Sequence, residues 1–196
     1  MINENKCTEF LANLVKYYEE EDIENFNTIK FFVGKLEDYL TYSGEGITPE
    51  DGHQILWAII LSKYGEDLAS SLDNLKEFGY DPHYIHQVYL MVLSIWRASD
   101  TPNTKTQKFM VLSDINNSIL GVSKKSYFKY CDLLKSESID EEQFVIDRIK
   151  FLEILIDSEY IFYTSYFRSK YEGFARRNIK TEKEKLTKEL LSRYEL

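Results

Sequence analysis

The sequence predicts an all-α fold, a layered helical bundle with two central buried helices, on three observations. The 196 residues include only 8 Gly and 3 Pro, too little punctuation for a strand-and-turn architecture. Apolar residues recur at helical spacing through most of the chain. Two segments, Ile55 to Leu61 and residues 82–99, are apolar around their whole circumference; helices of that kind must be enclosed by others, which implies layers rather than a simple four-helix bundle whose members each keep a wet face. An apolar fraction of 43% with 15 Tyr and 12 Phe supports a folded chain. One compact domain is the organisation its length favours.

The first helix is expected over residues 8–20, where Phe10, Leu11, Leu14, Val15 and Tyr18 share a stripe. The acidic run at residues 19–22 opposes the helix dipole at that end and reads as a solvated linker. A second helix takes Asn27 or Thr28 as its cap and carries Ile29, Phe32, Val33, Leu36, Tyr39 and Leu40. Gly44 and Gly46 stop it. Thr48, Pro49, Glu50 and Asp51 then start a third helix (49–64) with a cap, a first-turn proline and two acids. A short polar helix (67–78) ends at Gly79, and Asp81 with Pro82 opens the fifth, in which Ile85, Val88, Tyr89, Val92, Leu93 and Trp96 form one stripe.

Residues 100–106 break that helix. Helices over 108–120 and 124–136 meet at Gly121, read as a left-handed stop, with Ser123 as the next cap. A capping box of Ser138 and Glu141 opens an eighth helix carrying Phe144, Val145, Ile149, Leu152 and Leu155. The aromatic-rich residues 160–174 are expected to pack across the end of the bundle. A second capping box, Thr181 with Glu184, opens a last helix whose narrow stripe of Leu186, Leu190, Leu191 and Tyr194 reads as partly buried or as a docking tail. The resulting organisation is an N-terminal helix and acidic linker (1–25), a helical domain (26–175) and a basic C-terminal helix (176–196).

Charge and cysteine content narrow the function classes. The formal net charge is −9, which argues against generic nucleic-acid binding. Two local patches run the other way: residues 168–196 hold nine Lys/Arg against five Glu, and residues 101–135 hold six Lys against Asp114 and Asp132. Cys7 and Cys131 have no CxxC spacing and no metal-ligand cluster beside them, so neither a disulfide framework nor a zinc module is implied. An intracellular location, cytoplasmic or nuclear, is the expectation. The longest apolar run, Ile55 to Leu61, falls well short of the roughly 20 residues a membrane span needs. The N-terminus shows no signal-peptide pattern.

Catalytic and metal chemistry find little support. His83 and His86 stand three apart near a helix start with Asp81 close by, but no third strong ligand accompanies them. His53 has no nucleophile nearby, and Glu141 with Glu142 suits the first turn of a helix without a catalytic role. No enzyme, no metal and no cofactor is therefore the expectation. Residues 110–134 do have helix-Gly-helix spacing, and as a helix-turn-helix they would offer Lys124, Lys125 and Lys129 to DNA. Against that stand Asn117 where a small residue is wanted, and the bulky Tyr127 and Tyr130 where the second helix should pack.

In order, NTIKFFVGKLEDYL, ILWAIILSKYG, IHQVYLMVLSIWRASD, FMVLSDINNSILGVS and IKFLEILIDSEYIFYTSYF resemble the five helices of a cyclin box. The likeness is to the short single-box cyclins of the phosphate-response and plant U type, and it spans roughly residues 26–171. The segment GVSKKSYFKYCDLL is also similar to a helix pair in the cyclin-like repeats of general transcription factor B. In kinase-binding cyclins a lysine on the third helix and a glutamate on the fifth hold the kinase. Arg97, slightly out of register, and Glu142, beyond the helix at 124–134, are the residues standing nearest to those roles.

The resemblance implies a non-catalytic regulatory protein that binds a protein partner, a protein kinase among the candidates, through Arg97 and Glu142. The alternatives are a DNA-binding or transcription-associated protein using Lys124, Lys125 and Lys129, and a structural helical adaptor of the kind phages and viruses carry. Membrane association is not expected.

Overall fold

The computed structural model describes residues 4–21, 23–63, 68–96 and 106–194. These form nine α-helices and one 3-10 turn, with no strand among the described residues: α1 (Glu4–Glu21), α2 (Ile23–Tyr42), α3 (Pro49–Lys63), α4 (Leu68–Glu77), α5 (Pro82–Trp96), α6 (Gln107–Asn117), the 3-10 turn Ser118–Gly121, α7 (Lys124–Ser136), α8 (Glu141–Asp157) and α9 (Ser165–Tyr194). The protein is all-helical, as the composition predicts. It divides into two compact units, Met1–Ser113 and Asp114–Leu196, and the division falls inside α6. The borders expected at residues 25 and 175 lie within α2 and α9 instead.

In the first unit, helix starts and stops follow local chemistry. The Thr48 hydroxyl accepts from the Asp51 amide at 3.1 Å while Asp51 accepts from the Thr48 amide at 3.2 Å, a reciprocal cap in front of Pro49. Gly79, at φ 93°, ends α4 with its amide and that of Tyr80 returning to the Lys76 and Leu75 carbonyls. Asp81 then caps α5 by accepting from the His83 and Tyr84 amides at 2.9 and 3.0 Å.

Two sequence expectations fail at the amino end. Residues 19–21 belong to α1 rather than to a linker, and Asp22 lies outside the described residues. The dipole penalty of an acidic last turn is small, below about 1 kcal/mol, and packing of Phe10, Leu11 and Leu14 around Ile29 and Ile60 outweighs it. Thr28 is not a cap: its hydroxyl donates to the Glu24 carbonyl one turn back, inside α2.

The core of this unit is α3. Ile55, Trp57, Ala58, Ile59, Ile60 and Leu61 are all buried, with α2 and α5 packed against them. From α2 come Ile29, Phe32, Leu36 and Tyr39, a 3.6-residue stripe. The second expected central helix is not enclosed. In α5 only Tyr84, Val88, Met91 and Val92 are buried; Ile85, Tyr89, Leu90 and Leu93 are partly exposed, and Trp96 lies open while its indole N–H donates to the Ser62 carbonyl.

The second unit is built on α9. The expected capping box at Thr181 and Glu184 does not open a helix; α9 starts sixteen residues earlier and is unbroken there, and the Thr181 hydroxyl donates to the Arg177 carbonyl. One face of α9 is buried through Phe167, Ala175, Asn178, Ile179, Glu182 and Leu186, so the supposed tail is a packed helix. Gly121 is not left-handed, since among the described residues only Gly44, Gly46 and Gly79 have positive φ. It is glycine for closeness: a Cβ there would lie 2.6 Å from the Tyr171 Cβ and 3.0 Å from its carbonyl oxygen. At α8 the cap is Asp140, accepting from the Gln143 amide at 2.9 Å, and Ser138 donates to the Asp140 carbonyl instead. Ser123 caps α7 as expected.

Candidate functional site

The polar chemistry of the chain is concentrated in the second unit, where several side chains tie other elements to α9. Asp114, fully buried, accepts from the Tyr163 amide at 2.7 Å and the Thr164 amide at 2.8 Å, holding the segment that leads into α9. Burial pushes its carboxyl up to about 6, against the downward pull of those amides and of the Arg168 charge. Asn178 donates to both the Leu120 and Val122 carbonyls at 2.9 Å, pinning the buried end of the 3-10 turn. Glu172 accepts from the Ile161 and Phe162 amides and pairs with Arg176 at 2.7 Å.

The most buried charged cluster joins α7, α8 and α9. Glu182, 4% exposed, accepts from Arg148 Nε at 2.9 Å and Nη2 at 3.1 Å, a forked pair, and also from the Tyr127 hydroxyl. Burial works against the Arg148 charge, but the hydrogen bonds and charge of Glu182 outweigh it and hold the guanidinium above its ordinary value. Burial and the Glu182 charge together push the Tyr127 phenol well up. The Cys131 thiol beside them is pushed up to about 12, by burial first and then by Glu182, so it stays a protonated thiol and not an activated nucleophile.

Arg148 also walls a shallow groove of about 440 Å³ on α8, lined by Ser138, Asp140, Gln143, Phe144, Asp147 and Phe151. Its guanidinium lies 5.2 Å from the Phe151 ring, and Asp140 and Asp147 stand at the rim, Asp147 paired with Lys150 at 3.1 Å. Ile139 and Ile154 are exposed on the segment and helix that form the groove. Its floor is apolar.

The residues singled out from sequence are dispersed. Arg97 lies outside the described residues. Glu142 is exposed in the first turn of α8 and does not line the groove. Lys124, Lys125 and Lys129 are exposed on α7, whose packing is against the 3-10 turn and α9, with Tyr127 completely buried. His83 and His86 are exposed, and among the described residues no group of three or more His, Cys, Asp and Glu could hold a metal ion. No described helix is long and apolar enough to cross a membrane.

Sequence reading missed Asp114, Arg148 and Glu182. Two of them carried a visible signal: Asp114 interrupts the apolar series Val111, Leu112 and Ile115, and Arg148 sits among Phe144, Val145, Phe151 and Leu152. A lone charge at an apolar position of a helical stripe marks a buried pair whose partner lies elsewhere in the chain. Glu182 carried a weaker signal of the same kind, standing in line with Ala175, Ile179 and Leu186 on a helix whose other residues are mostly polar. No family model, no curated protein and no solved structure matches the chain.

Proposed function

We propose that this chain is a non-catalytic, cyclin-like helical protein that works by binding a protein partner, with a protein kinase among the candidate classes. The ordered series of five helical segments motivates the cyclin likeness. They are distributed over both compact units, and the fourth, residues 109–123, crosses the division. Arg97 and Glu142 are the contacts that the likeness assigns to a kinase.

The observation that carries the binding reading is the α8 groove. Two partly buried phenyl rings, Phe144 and Phe151, form an apolar seat, and Asp140 supplies negative charge at its rim beside the Asp147–Lys150 pair. Such a seat suits an apolar anchor residue flanked by basic side chains on the partner. The buried Arg148–Glu182 pair fixes one wall, so little ordering is required on binding.

Affinity purification of the full chain, with identification of the co-purifying chains, tests this reading. Recovery of a defined protein partner is expected, with affinity reduced about 10-fold or more in Phe151→Ala and in the surface variant Ile154→Asp. Circular dichroism melts of Ile154→Asp check that the fold is kept. No recovered partner, or a partner held equally by both variants, overturns the assignment.

A further inference from the structure

Net negative charge is confined to one part of the chain. Residues 1–113 hold 9 basic and 18 acidic side chains, whereas residues 114–196 hold 15 of each. Within the second unit many of the acids are used internally: Glu172, Glu182, Glu189, Glu141 and Glu153 each meet an arginine or lysine of their own unit. Those pairs consume Arg176, Arg148, Lys135, Arg193 and Lys183. A second set of cations is left outside them.

The packing shows where that set lies. Tyr127 meets Glu182 and Lys135 meets Glu189, pairs 55 and 54 residues apart in the chain, and Lys185 sits 3.9 Å over the Phe128 ring. A nearly constant offset means that α7 and α9 lie side by side and run in the same direction. Lys124 and Lys125, near the start of α7, are therefore level with the residues around Lys180 on α9. Lys124, Lys125, Lys129, Arg177, Lys180, Lys185 and Lys188 are all exposed, and none is in an ion pair among the described residues. Asp132 and Glu184 are the exposed acids interspersed with them.

From Arg177 to Lys188 the cations of α9 extend over about 16 Å, the axial rise of roughly five nucleotides of one strand. Aromatic faces stand among them: Phe174 is exposed beside Arg177, at 4.7 Å, and Phe128 lies beneath Lys185. Cations spaced along a ridge with aromatic rings between them are the arrangement that tracks a sugar-phosphate backbone.

We propose that the parallel pair α7 and α9 forms a ridge that binds the phosphate backbone of nucleic acid through Lys124, Lys125, Arg177, Lys180, Lys185 and Lys188. The ridge is distinct from the α8 groove and does not depend on the protein-partner reading. It also differs from a helix-turn-helix, because four of its six cations come from α9 and no base-edge readout is required. Binding is then insensitive to sequence.

The test is fluorescence anisotropy of the full chain with labelled single strands and duplexes of about 20 nucleotides, between about 50 and 200 mM salt. Binding is expected, with a log-log salt slope of about −3 to −4 for four or five phosphate contacts. The variant Lys180→Ala/Lys185→Ala/Lys188→Ala should flatten the slope by about two to three, and Lys124→Ala/Lys125→Ala by one to two. The control Lys76→Ala, on the first unit, should leave it unchanged. Comparison of the two probes tells whether the aromatic faces favour the single strand. Three results overturn the proposal: no binding at the lowest salt, ridge variants indistinguishable from the native chain, or tighter binding to vesicles of anionic lipid than to either nucleic acid.

Discussion

The two compact units hold themselves together by different means. In the first, an apolar helix, α3, is enclosed, and among its described residues only Gln54 and Ser71 are buried polar side chains. In the second, Asp114, Ser118, Thr164, Asn178 and Glu182 are all buried, and each hydrogen-bonds to a defined partner. Apolar burial is non-directional, so α3 needs only neighbours of suitable shape. Buried polar groups are costly unless paired with the right geometry. The second unit therefore specifies how its helices register on α9, a helix too polar to do so by apolar burial alone.

The sharpest way to break this contrast is at Arg148. Arg148→Ala leaves the Glu182 carboxylate buried without its counter-charge and should cost about 3–5 kcal/mol in urea unfolding, rivalling a large core truncation such as Ile55→Ala in the first unit, at about 2–5 kcal/mol. The triple variant Tyr127→Phe/Arg148→Met/Glu182→Leu should recover most of that loss. If the triple variant remains as unstable as Arg148→Ala, the network contributes net stability as well as register.

A smaller effect is expected from Asp114. Its folded-state carboxyl, near 6, lies above its ordinary value because of burial. The folded chain therefore holds a proton that the unfolded chain releases between about pH 4 and 6, and this residue makes the protein less stable as pH rises through that window. Asp51, Glu141, Asp147 and Glu189 lie below their ordinary values and act in the opposite sense, losing their contribution as pH falls. Asp114→Asn isolates the first effect: relative to the native chain it should gain about 2–3 kcal/mol between pH 4 and pH 7. Equal differences at both pH values would mean that Asp114 does not titrate there.

Two glycines give the smallest contrast. Gly121→Ala drives a Cβ into Tyr171 and should cost about 1–3 kcal/mol. Gly173→Ala, on the same helix as Tyr171 but with nothing within 4 Å of the new methyl, should raise stability by up to about 1 kcal/mol. Thermal melts of the two variants should move in opposite directions.

Legibility differed between the units for the same reason. The start of α3 at Thr48 and Pro49, the end of α4 at Gly79 and the cap of α5 at Asp81 are local signals, and all were readable. So were the bounds of α7, from the Ser123 cap to Ser136. The reading went astray where a local motif competes with long-range packing. Thr181 and Glu184 look like a helix start, but Asn178, Ile179 and Glu182 are pinned to the 3-10 turn and to α8, and α9 continues through them. Gly121 looked like a left-handed stop and is a point of close approach to Tyr171. At the candidate site, nothing local in the sequence reveals the phenyl groove that Asp140 and Asp147 border.

From the sequence alone came the all-helical class, the buried identity of α3 and the caps at Thr48, Asp81 and Ser123, because helical period and capping depend on residues within a few positions of one another. Only the tertiary structure decided that α9 is the spine of the second unit, that Arg148 and Glu182 pair across 34 residues, and that α7 and α9 run side by side in the same direction. Those features depend on which distant side chains meet, and a buried charge gives no local sign of its partner.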